Sequence, residues 1–464
     1  MQIVLFVEKI VEQFREVFSR EATFEWFVII FWALMLRMDM AGVTSIIRCM
    51  GLDPNQYFCL LHFFNSSAFC VQGLCETWYA IVQSFGKPVC VKDKPLYLID
   101  GIKVGKAGKR MPGVKLLHQE SEDNTKPEYI MGHFWGAISK LIYAPKHVFS
   151  VPLRFQIQDG LKRSPAEVAT LVDKMGTLVT QTLGDSIGIV IGDAYYSTKG
   201  FITTLVDSGY HYIGKIKIST VGYHLPEPSP SPRPRGRPRI YGQKVKLKQL
   251  FKQTALFKHA AITLYGKTEN VRYLSIDLMW QGIYVRFVLT IMPDGKRAIL
   301  LSTDLSLDPV DIIFAYGLRQ KIEVSFQSLI HILSGFCYHF WMKSMTKIKR
   351  GSGDQYLHRA SDDFRQKVFG KIESYERFVN ITAIALGTLQ LLAIQYHELI
   401  WDRFPVWLRT LPKHGCPSEH VVRLTLQHEL HQIFLKNNDS PLLAKILAKK
   451  KTSSYPAHPL KIAS

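Results

Sequence analysis

The stretch IGIVIGDAYYSTKGF, residues 187–201, decides the fold, because an apolar run from Ile187 to Ile191 ends at a carboxylate, Asp193. The stretch YLIDGIKVGK, residues 97–106, repeats the arrangement, with the apolar Leu96-Tyr97-Leu98-Ile99 placed directly before Asp100. Each apolar run predicts a buried strand. Ligands of α/β folds usually bind at the carboxyl ends of strands. We therefore expect the two aspartates to lie together at one edge of a sheet.

The segments around these two runs predict an α/β core. A serine at an N-cap position, Ser164, precedes Pro165 and Glu167, which is typical of the start of a helix, and apolar residues continue it through Leu183. The predicted order is β-β-β-α-β-α-β. Its strands are expected at residues 97–104, 130–139, 147–158, 187–191 and 210–217.

After residue 217 the pattern changes. The proline-rich stretch LPEPSPSPRPRGRPRIYG, residues 225–242, suits neither a helix nor the interior of a sheet, and alternating apolar stretches follow it. The sequence therefore predicts a β-rich insertion. The expected units are a helical N-terminal region (1–92), the first part of an α/β core (93–217), the insertion with its basic Pro/Arg loop (218–302), the second part of the core with a further helix (303–370), and a helical C-terminal region with a basic tail (371–464).

A third carboxylate, Glu323, lies in a predicted helix that begins at Asp308-Pro309. Tyr316, Arg319 and Glu323 are spaced by three and four residues, so one helix face presents all three. Two aspartates and a glutamate from different elements can hold a pair of Mg²⁺ ions, which prefer oxygen ligands. The alternative is a surface ion pair of Arg319 with Glu323 and a core role for Tyr316. Asp304 is a competing carboxylate.

This combination resembles the DDE transposases of bacterial insertion sequences, in particular the group with a β-strand insertion between the second aspartate and the glutamate. The group's signature, Y-x2-R-x3-E-x6-K, matches at Tyr316, Arg319 and Glu323, whereas Ile330 stands at the lysine position. The resemblance covers roughly residues 95–345. It implies an α/β fold with a ribonuclease-H-like mixed-sheet core, interrupted by a β-rich insertion and flanked by helical N- and C-terminal regions.

The resemblance also implies an activity. Asp100, Asp193 and Glu323 would be both the catalytic residues and the ligands of two Mg²⁺ ions, for which Mn²⁺ can substitute. The expected partner is double-stranded DNA, both the terminal inverted repeats of the element and the target, bound by a homodimer. Tyr316 and Arg319 would contact that DNA.

The charge of the chain agrees with a nucleic-acid partner. The formal net charge is +20, which favours a polyanion. Residues 234–238, PRGRP, resemble the core of an AT-hook, whose arginines lie in the A·T minor groove; a solvated basic loop is the alternative. The predicted DNA-binding residues in this loop and after the helix of Glu323 are Arg235, Arg237, Arg239, Lys343 and Lys347. Lys103, Lys106, Lys109 and Arg110, which lie close after Asp100, are also expected to contact the phosphate backbone.

Several patterns bear on location. Seven cysteines without a CxxC pair favour reduced thiols in a cytoplasm, and the resemblance implies a prokaryotic protein associated with the nucleoid when acting. The apolar run Trp26–Leu36 has 11 residues, fewer than the roughly 20 that span a bilayer, so we expect a buried helix and no membrane. Residues 41–64 loosely resemble a helix-turn-helix; DNA contact and plain helix packing remain open there.

Two alternatives to a transposase remain at this point. The first is a catalytically inactive, transposase-derived DNA-binding protein that has kept its carboxylates. The second is a metal-dependent DNA nuclease without strand transfer, which uses the same metal chemistry. Only the reaction products separate these classes. A membrane-associated protein that uses residues 24–38 is a weaker third alternative.

Overall fold

A mixed sheet of thirteen strands runs through the part of the protein that the structure, a computed structural model, describes: residues 2–39, 42–119, 127–166, 169–227, 239–264, 266–407, 415–436 and 441–452. Two further short strands, β6 and β15, pair with each other. The strands are β1 (Cys90–Val91), β2 (Lys94–Gly105), β3 (Lys115–His118), β4 (Tyr129–Ala144), β5 (His147–Ile157), β6 (Leu161–Lys162), β7 (Ile189–Gly192), β8 (His211–Ile216), β9 (Val221–Tyr223), β10 (Lys244–Lys246), β11 (Lys258–Leu264), β12 (Lys267–Trp280), β13 (Ile283–Ile291), β14 (Arg297–Ser302) and β15 (Gln355–Tyr356).

Helices cover this sheet and form the two ends of the chain. They are α1 (Gln2–Glu12), α2 (Glu21–Leu36), α3 (Thr44–Met50), α4 (Tyr57–Asn65), α5 (Val71–Phe85), α6 (Leu171–Leu183), α7 (Lys199–Asp207), α8 (Leu247–Leu250), α9 (Pro309–Gly317), α10 (Gln320–His331), α11 (Asp362–Gln395), α12 (His397–Arg403), α13 (Glu419–Lys436) and α14 (Leu442–Thr452). The expected mixed α/β architecture is therefore confirmed.

Five strands at the centre of the sheet follow the order β5-β4-β2-β7-β8. The first three are antiparallel neighbours, and β7 and β8 run parallel to β2. Helix α6 leads into β7, and α7 connects β7 to β8. The predicted sequence of strands and helices is confirmed, and each of the five strands begins within a few residues of the expected position.

The start of α6 differs from the sequence-based prediction. The cap is Thr170, whose side chain and that of Asp173 form a reciprocal capping box. Ser164 instead accepts a hydrogen bond from the Ala166 N–H at 3.2 Å, which closes a local turn. The Ser-Pro pair therefore forms a turn that precedes the helix. The helix begins at Thr170 because the capping box there satisfies two free backbone amides.

The alternating stretches after residue 217 do form strands, and these strands continue the central sheet. Strand β14 pairs antiparallel with β8, and β13 and β12 extend the ladder outward to β9 and β10. Arg286 on β13 holds this layer to the next segment, since its guanidinium bonds Asp277 at 2.7 Å and the Leu307 carbonyl at 2.6 Å. The insertion therefore covers the edge that β8 would otherwise expose.

The helices of both ends of the chain pack together around α11. Helices α2, α4 and α5 all contact it. The predicted buried helix at Trp26–Leu36 is confirmed, because nearly every residue of this run in α2 is buried. Among the described residues one helix, α11, is long and apolar enough to cross a membrane by length and composition, and 89% of that window is buried inside the protein.

The loose helix-turn-helix pattern does correspond to two short helices. Gly51 ends α3 in the left-handed conformation, with φ of 59°, and α4 follows after a 3₁₀ turn at Pro54–Gln56. Helix α4 packs on α11 through Phe64, whose ring lies 5.6 Å from that of Phe378. DNA contact by this region stays a prediction.

Candidate active site

Asp100 and Asp193 lie on neighbouring parallel strands. Leu98 of β2 is opposite Ile191 of β7, and the same register carried on by two residues brings Asp100 level with Asp193. Adjacent strands are about 4.8 Å apart. Asp193 follows the end of β7, as expected, but Asp100 lies inside β2, which continues to Gly105. Asp193 comes level with Asp100 because β7 ends at Gly192, whereas β2 continues beyond Asp100.

The backbone beside Asp100 is tightly enclosed. A Cβ on Gly101 would lie 2.4 Å from the Phe134 ring and 3.3 Å from the Tyr196 hydroxyl. Tyr196 is buried, and burial together with the charge of Asp100 raises the pKa of its phenol well above the usual range. The position therefore requires glycine and leaves the Asp100 carboxylate little freedom.

A second tyrosine supports Asp193. The Tyr212 hydroxyl donates to the Asp193 carbonyl at 3.3 Å and lies 3.1 Å from the Ser197 hydroxyl. Sequence reasoning missed both supporting tyrosines. Tyr196 had a signal, its place in the turn directly after Asp193. Tyr212, inside an apolar strand, had none.

Arg319 joins the first aspartate to the glutamate. Its Nη1 lies 3.1 Å from Asp100 Oδ2, and its Nη2 lies 2.9 Å from Glu323 Oε1. Gln320, also missed from the sequence, donates to the other Glu323 oxygen. The sequence left two interpretations open, a surface ion pair of Arg319 with Glu323 and a shared site with the aspartates. The ion pair exists, and it also includes Asp100.

The helix that carries these residues is broken, contrary to the prediction of one continuous helix. Helix α9 ends at Gly317 and α10 begins at Gln320. Between them, Arg319 N–H bonds the carbonyl three residues back, at Tyr316, at 3.0 Å. Glycine is a poor helix former, which explains the position of the break. The tighter turn still leaves Tyr316, Arg319 and Glu323 close together.

The charges of the cluster shift its pKa values. Burial raises the pKa of Asp100 to about 6, although Arg319 and the Gly101 N–H oppose this. Burial lowers the pKa of Arg319, but the charges of Asp100 and Asp193 more than offset it, so the net shift is upward. Burial also raises the pKa of Tyr316 to about 12. At neutral pH Arg319 is thus a fixed cation among carboxylates.

The donor set suits a hard divalent cation, because three carboxylates supply only oxygen ligands. Among the described residues, however, no group of three His, Cys, Asp or Glu side chains converges to form a metal site. The Arg319 guanidinium lies between Asp100 and Glu323, where it supplies the positive charge. A cation held by all three carboxylates requires that this side chain move.

A cavity of about 490 Å³ opens beside the two aspartates. Lys103 and Lys115 contribute to its wall, and Lys115 pairs with Asp159 at 3.0 Å and Asp354 at 2.7 Å. Lys103 donates to the His118 carbonyl at 2.7 Å. The wall of the cavity therefore contains both the two aspartates and lysines, and one of these lysines, Lys115, is already neutralised by carboxylates.

Two residues considered from the sequence lie elsewhere. Asp304 pairs with Lys94 at 2.5 Å, at the opposite end of β2 from Asp100. Burial raises the pKa of Asp304, but hydrogen bonds from Lys94 and Ser306 outweigh it and lower that pKa to about 2. Lys106 is buried, 7% exposed, and donates to the Tyr338 carbonyl at 3.2 Å. Asp304 is structural, and the expected phosphate contact by Lys106 is wrong for this conformation.

Three of the remaining DNA-binding residues predicted in the basic loop and after the helix of Glu323 lie among the described residues, and all three are exposed. Arg235 and Arg237 lie outside the described residues, whereas Arg239 is exposed. Lys343 and Lys347 are exposed beyond the end of α10. Ile330, at the position of the family lysine, packs partly buried against the core.

Comparisons with known proteins add little. No family model matches this chain, and no curated protein matches it. Among solved structures, the chain is similar to the cryo-EM structure of a piggyBac transposase synaptic complex with hairpin DNA, with 12% sequence identity, coverage of 98% of this chain and 83% of that chain, and a TM-score of 0.38. A likeness this low carries no argument, so the site must be interpreted from its own geometry.

Proposed function

We propose that this protein is a DDE transposase, with Asp100, Asp193 and Glu323 as its catalytic carboxylates. One observation supports this most: the register of β2 with β7 brings Asp100 level with Asp193, while Arg319 connects Asp100 to Glu323 on the helix that follows the insertion. Residues separated by more than 200 positions thus meet at one place. The match of Tyr316, Arg319 and Glu323 to the transposase signature adds to it.

The central sheet also favours this class. Numbered within the core, its strands follow the order 3-2-1-4-5, with strand 2 antiparallel and strands 4 and 5 parallel to strand 1. The resemblance implies a ribonuclease-H-like core with the first aspartate on strand 1 and the second directly after strand 4, and the positions of Asp100 and Asp193 support this proposal. The insertion follows strand 5 and precedes the glutamate helix.

In the proposed reaction Asp100, Asp193 and Glu323 would hold two Mg²⁺ ions. When bound, such ions lower the pKa of water and stabilise charge during in-line attack at a phosphodiester. Arg319, released from the carboxylates, would bind a DNA phosphate in the bidentate manner that guanidinium favours. Asp100 is held by its Gly101 N–H at 2.8 Å and so stays oriented in both states.

The substrate would be double-stranded DNA at the ends of the element and in the target. A homodimer would join two ends, and the protein would act in a prokaryotic cytoplasm. The net charge of +20 supports the DNA partner.

The test uses full-length protein, Mg²⁺, a target plasmid and labelled DNA that carries several hundred base pairs from each side of the coding sequence. Asp193→Asn is the inactive variant. Asp207→Asn, an exposed aspartate at the end of α7, is the matched control. We expect end cleavage and joined products with the wild type and the control, and neither with Asp193→Asn.

Each other outcome indicates a different class. Cleavage without joining would identify a metal-dependent nuclease. Binding to the ends with no reaction in Mg²⁺ or Mn²⁺ would identify an inactive, transposase-derived DNA-binding protein. Full activity of Asp193→Asn would remove Asp193 from the site and overturn the proposal.

A further inference from the structure

Two segments without acidic residues meet beyond the active site. Residues 106–114 follow β2, and residues 336–353 follow α10; neither contains Asp or Glu. The Met342 N–H donates to the Arg110 carbonyl at 3.0 Å, and the Ile348 N–H donates to the Lys109 carbonyl at 2.7 Å. These bonds join the segments into one surface. We call it the basic platform, formed by Lys109, Arg110, Trp341, Lys343, Lys347, Lys349 and Arg350.

Trp341 projects from this platform. It is 65% exposed, whereas its neighbours Phe340 and Met342 are both buried, and the Phe340 ring is parallel to that of Tyr375 at 6.2 Å. The indole Nε1 lies 3.3 Å from the point that a Cβ of Gly108 would occupy. The neighbours thus fix the outward direction of the indole, and Gly108 lets its edge lie close to the loop.

An exposed tryptophan among cations has a definite partner chemistry. Large aromatic side chains are enriched at binding sites, where burial of their surface stabilises the complex. Lysines and arginines without nearby acids attract phosphates. A cavity of about 420 Å³ adjoins the indole and is lined by Lys343, Lys371 and Lys367, the last of which pairs with Asp363 at 2.6 Å. An exposed indole ring beside several lysines suits a sugar–phosphate backbone, because the ring can pack against the sugar while the lysines bind the phosphates.

We propose that the basic platform holds duplex DNA outside the point of cleavage, with Lys343 and Lys347 on phosphates and Trp341 packed against deoxyribose. The proposal rests on the proposed function and adds the path of the DNA. It also assigns a contact to Trp341, a residue that the transposase signature does not include.

The fold sets the distance between the two sites. Asp100 and Lys106 are six residues apart on extended backbone, which corresponds to about 20 Å. Duplex DNA rises about 3.4 Å per base pair. The segment that carries Lys109 and Arg110 therefore begins about 20 Å from Asp100, which corresponds to about six base pairs along a duplex.

The test measures binding without divalent metal, by fluorescence anisotropy, over a range of salt concentrations. The probe is a 30-base-pair duplex from the DNA beside the coding sequence. The variants are Lys343→Gln/Lys347→Gln and Trp341→Ala. The matched control is Lys87→Gln/Lys146→Gln, two exposed lysines at the opposite end of the sheet. Thermal denaturation checks that all variants fold.

We expect the double lysine variant to reduce the slope of log K against log salt by about two, since each phosphate contact contributes about one. Trp341→Ala should weaken binding several-fold without a change of slope, because it removes no charge. The control pair should behave as the wild type.

The outcomes separate the two proposals. If the wild type binds no duplex, the proposed function fails and the platform with it. If the wild type binds and cleaves DNA but both platform variants bind as it does, only the platform is overturned. A loss confined to single-stranded probes in Trp341→Ala would overturn the assignment to duplex DNA.

Discussion

Arg319 and Asp100 form a partly buried ion pair of 3.1 Å between residues that lie 219 positions apart in the chain. The pair joins the helix after the insertion to the first strand of the core. It also balances the negative charge of the site, because the second guanidinium nitrogen bonds Glu323 at 2.9 Å. Arg319 is therefore the internal counter-ion of the carboxylate cluster.

We predict that Arg319→Gln lowers the melting temperature and increases stabilisation by Mg²⁺. Arg319 is 17% and Asp100 is 20% exposed, and removal of one partner from such a partly buried pair leaves a poorly compensated charge, which costs about 1–3 kcal/mol. Mg²⁺ would then meet no competing cation at Asp100. Thermal denaturation with and without MgCl₂ measures both effects, with Gln327→Ala on the exposed face of α10 as the control. An equal Mg²⁺ response in the variant and the wild type would contradict this role.

Two glycines of α11 should respond to alanine in opposite directions. A Cβ on Gly387 would lie 2.3 Å from the Trp78 ring of α5, whereas nothing lies within 4 Å of one on Gly370. Overpacking costs about 1–3 kcal/mol, and alanine in an open helical position stabilises by about 0.5–1 kcal/mol. Urea unfolding should thus show Gly387→Ala less stable and Gly370→Ala more stable than the wild type. Equal shifts in both variants would disprove the close contact.

Glu376 should make stability depend on pH. Its Oε1 accepts from the Ile157 N–H at 3.0 Å, and burial raises the pKa of the carboxyl to about 7, although this hydrogen bond opposes the shift. As pH rises from about 4.5 to 7, the unfolded chain releases this proton before the folded protein does, so stability falls. Glu376→Gln keeps an acceptor and has no proton to lose.

We therefore expect wild type and Glu376→Gln to be similar at pH 4.5 and to diverge by about 2–3 kcal/mol at pH 8, with the variant more stable. Urea unfolding at the two pH values is the measurement. Asp207→Asn, an exposed carboxylate, serves as the control and should show no such divergence. A constant difference between wild type and Glu376→Gln across pH would mean that the carboxyl is ionised throughout.

Local pattern was enough to predict the core strands and the candidate carboxylates. The apolar runs before Asp100 and Asp193 are long and end in charge, so their strands were clear from the residues alone. Helical spacing likewise placed Arg319 beside Glu323, which the 2.9 Å bond confirms.

Contacts between residues that are far apart in the sequence could not be predicted from local patterns. The bond from Arg319 to Asp100 crosses from α10 to β2, and no spacing rule relates such positions. The pairing of β14 with β8 was equally hidden, because alternating residues predict a strand but not its neighbour. The break between α9 and α10 did have a signal in the sequence, since Gly317 is a poor helix former. The continuous apolar face of the predicted helix nevertheless led to the prediction of a single helix.

The packing of α2 against α11 has a consequence for synthesis. The apolar surface of α2 is complete once Leu36 has been made, but its partner begins at Asp362. At ribosomal rates of about 5–20 residues per second, those 326 residues take roughly 15–65 s. During that interval only nearby helices such as α3 and α4 can pack on α2, and the aromatic and aliphatic side chains that α11 covers stay exposed on the nascent chain. A chaperone that shields residues 21–36 would therefore raise the yield of folded protein, and the benefit would end when α11 leaves the ribosome.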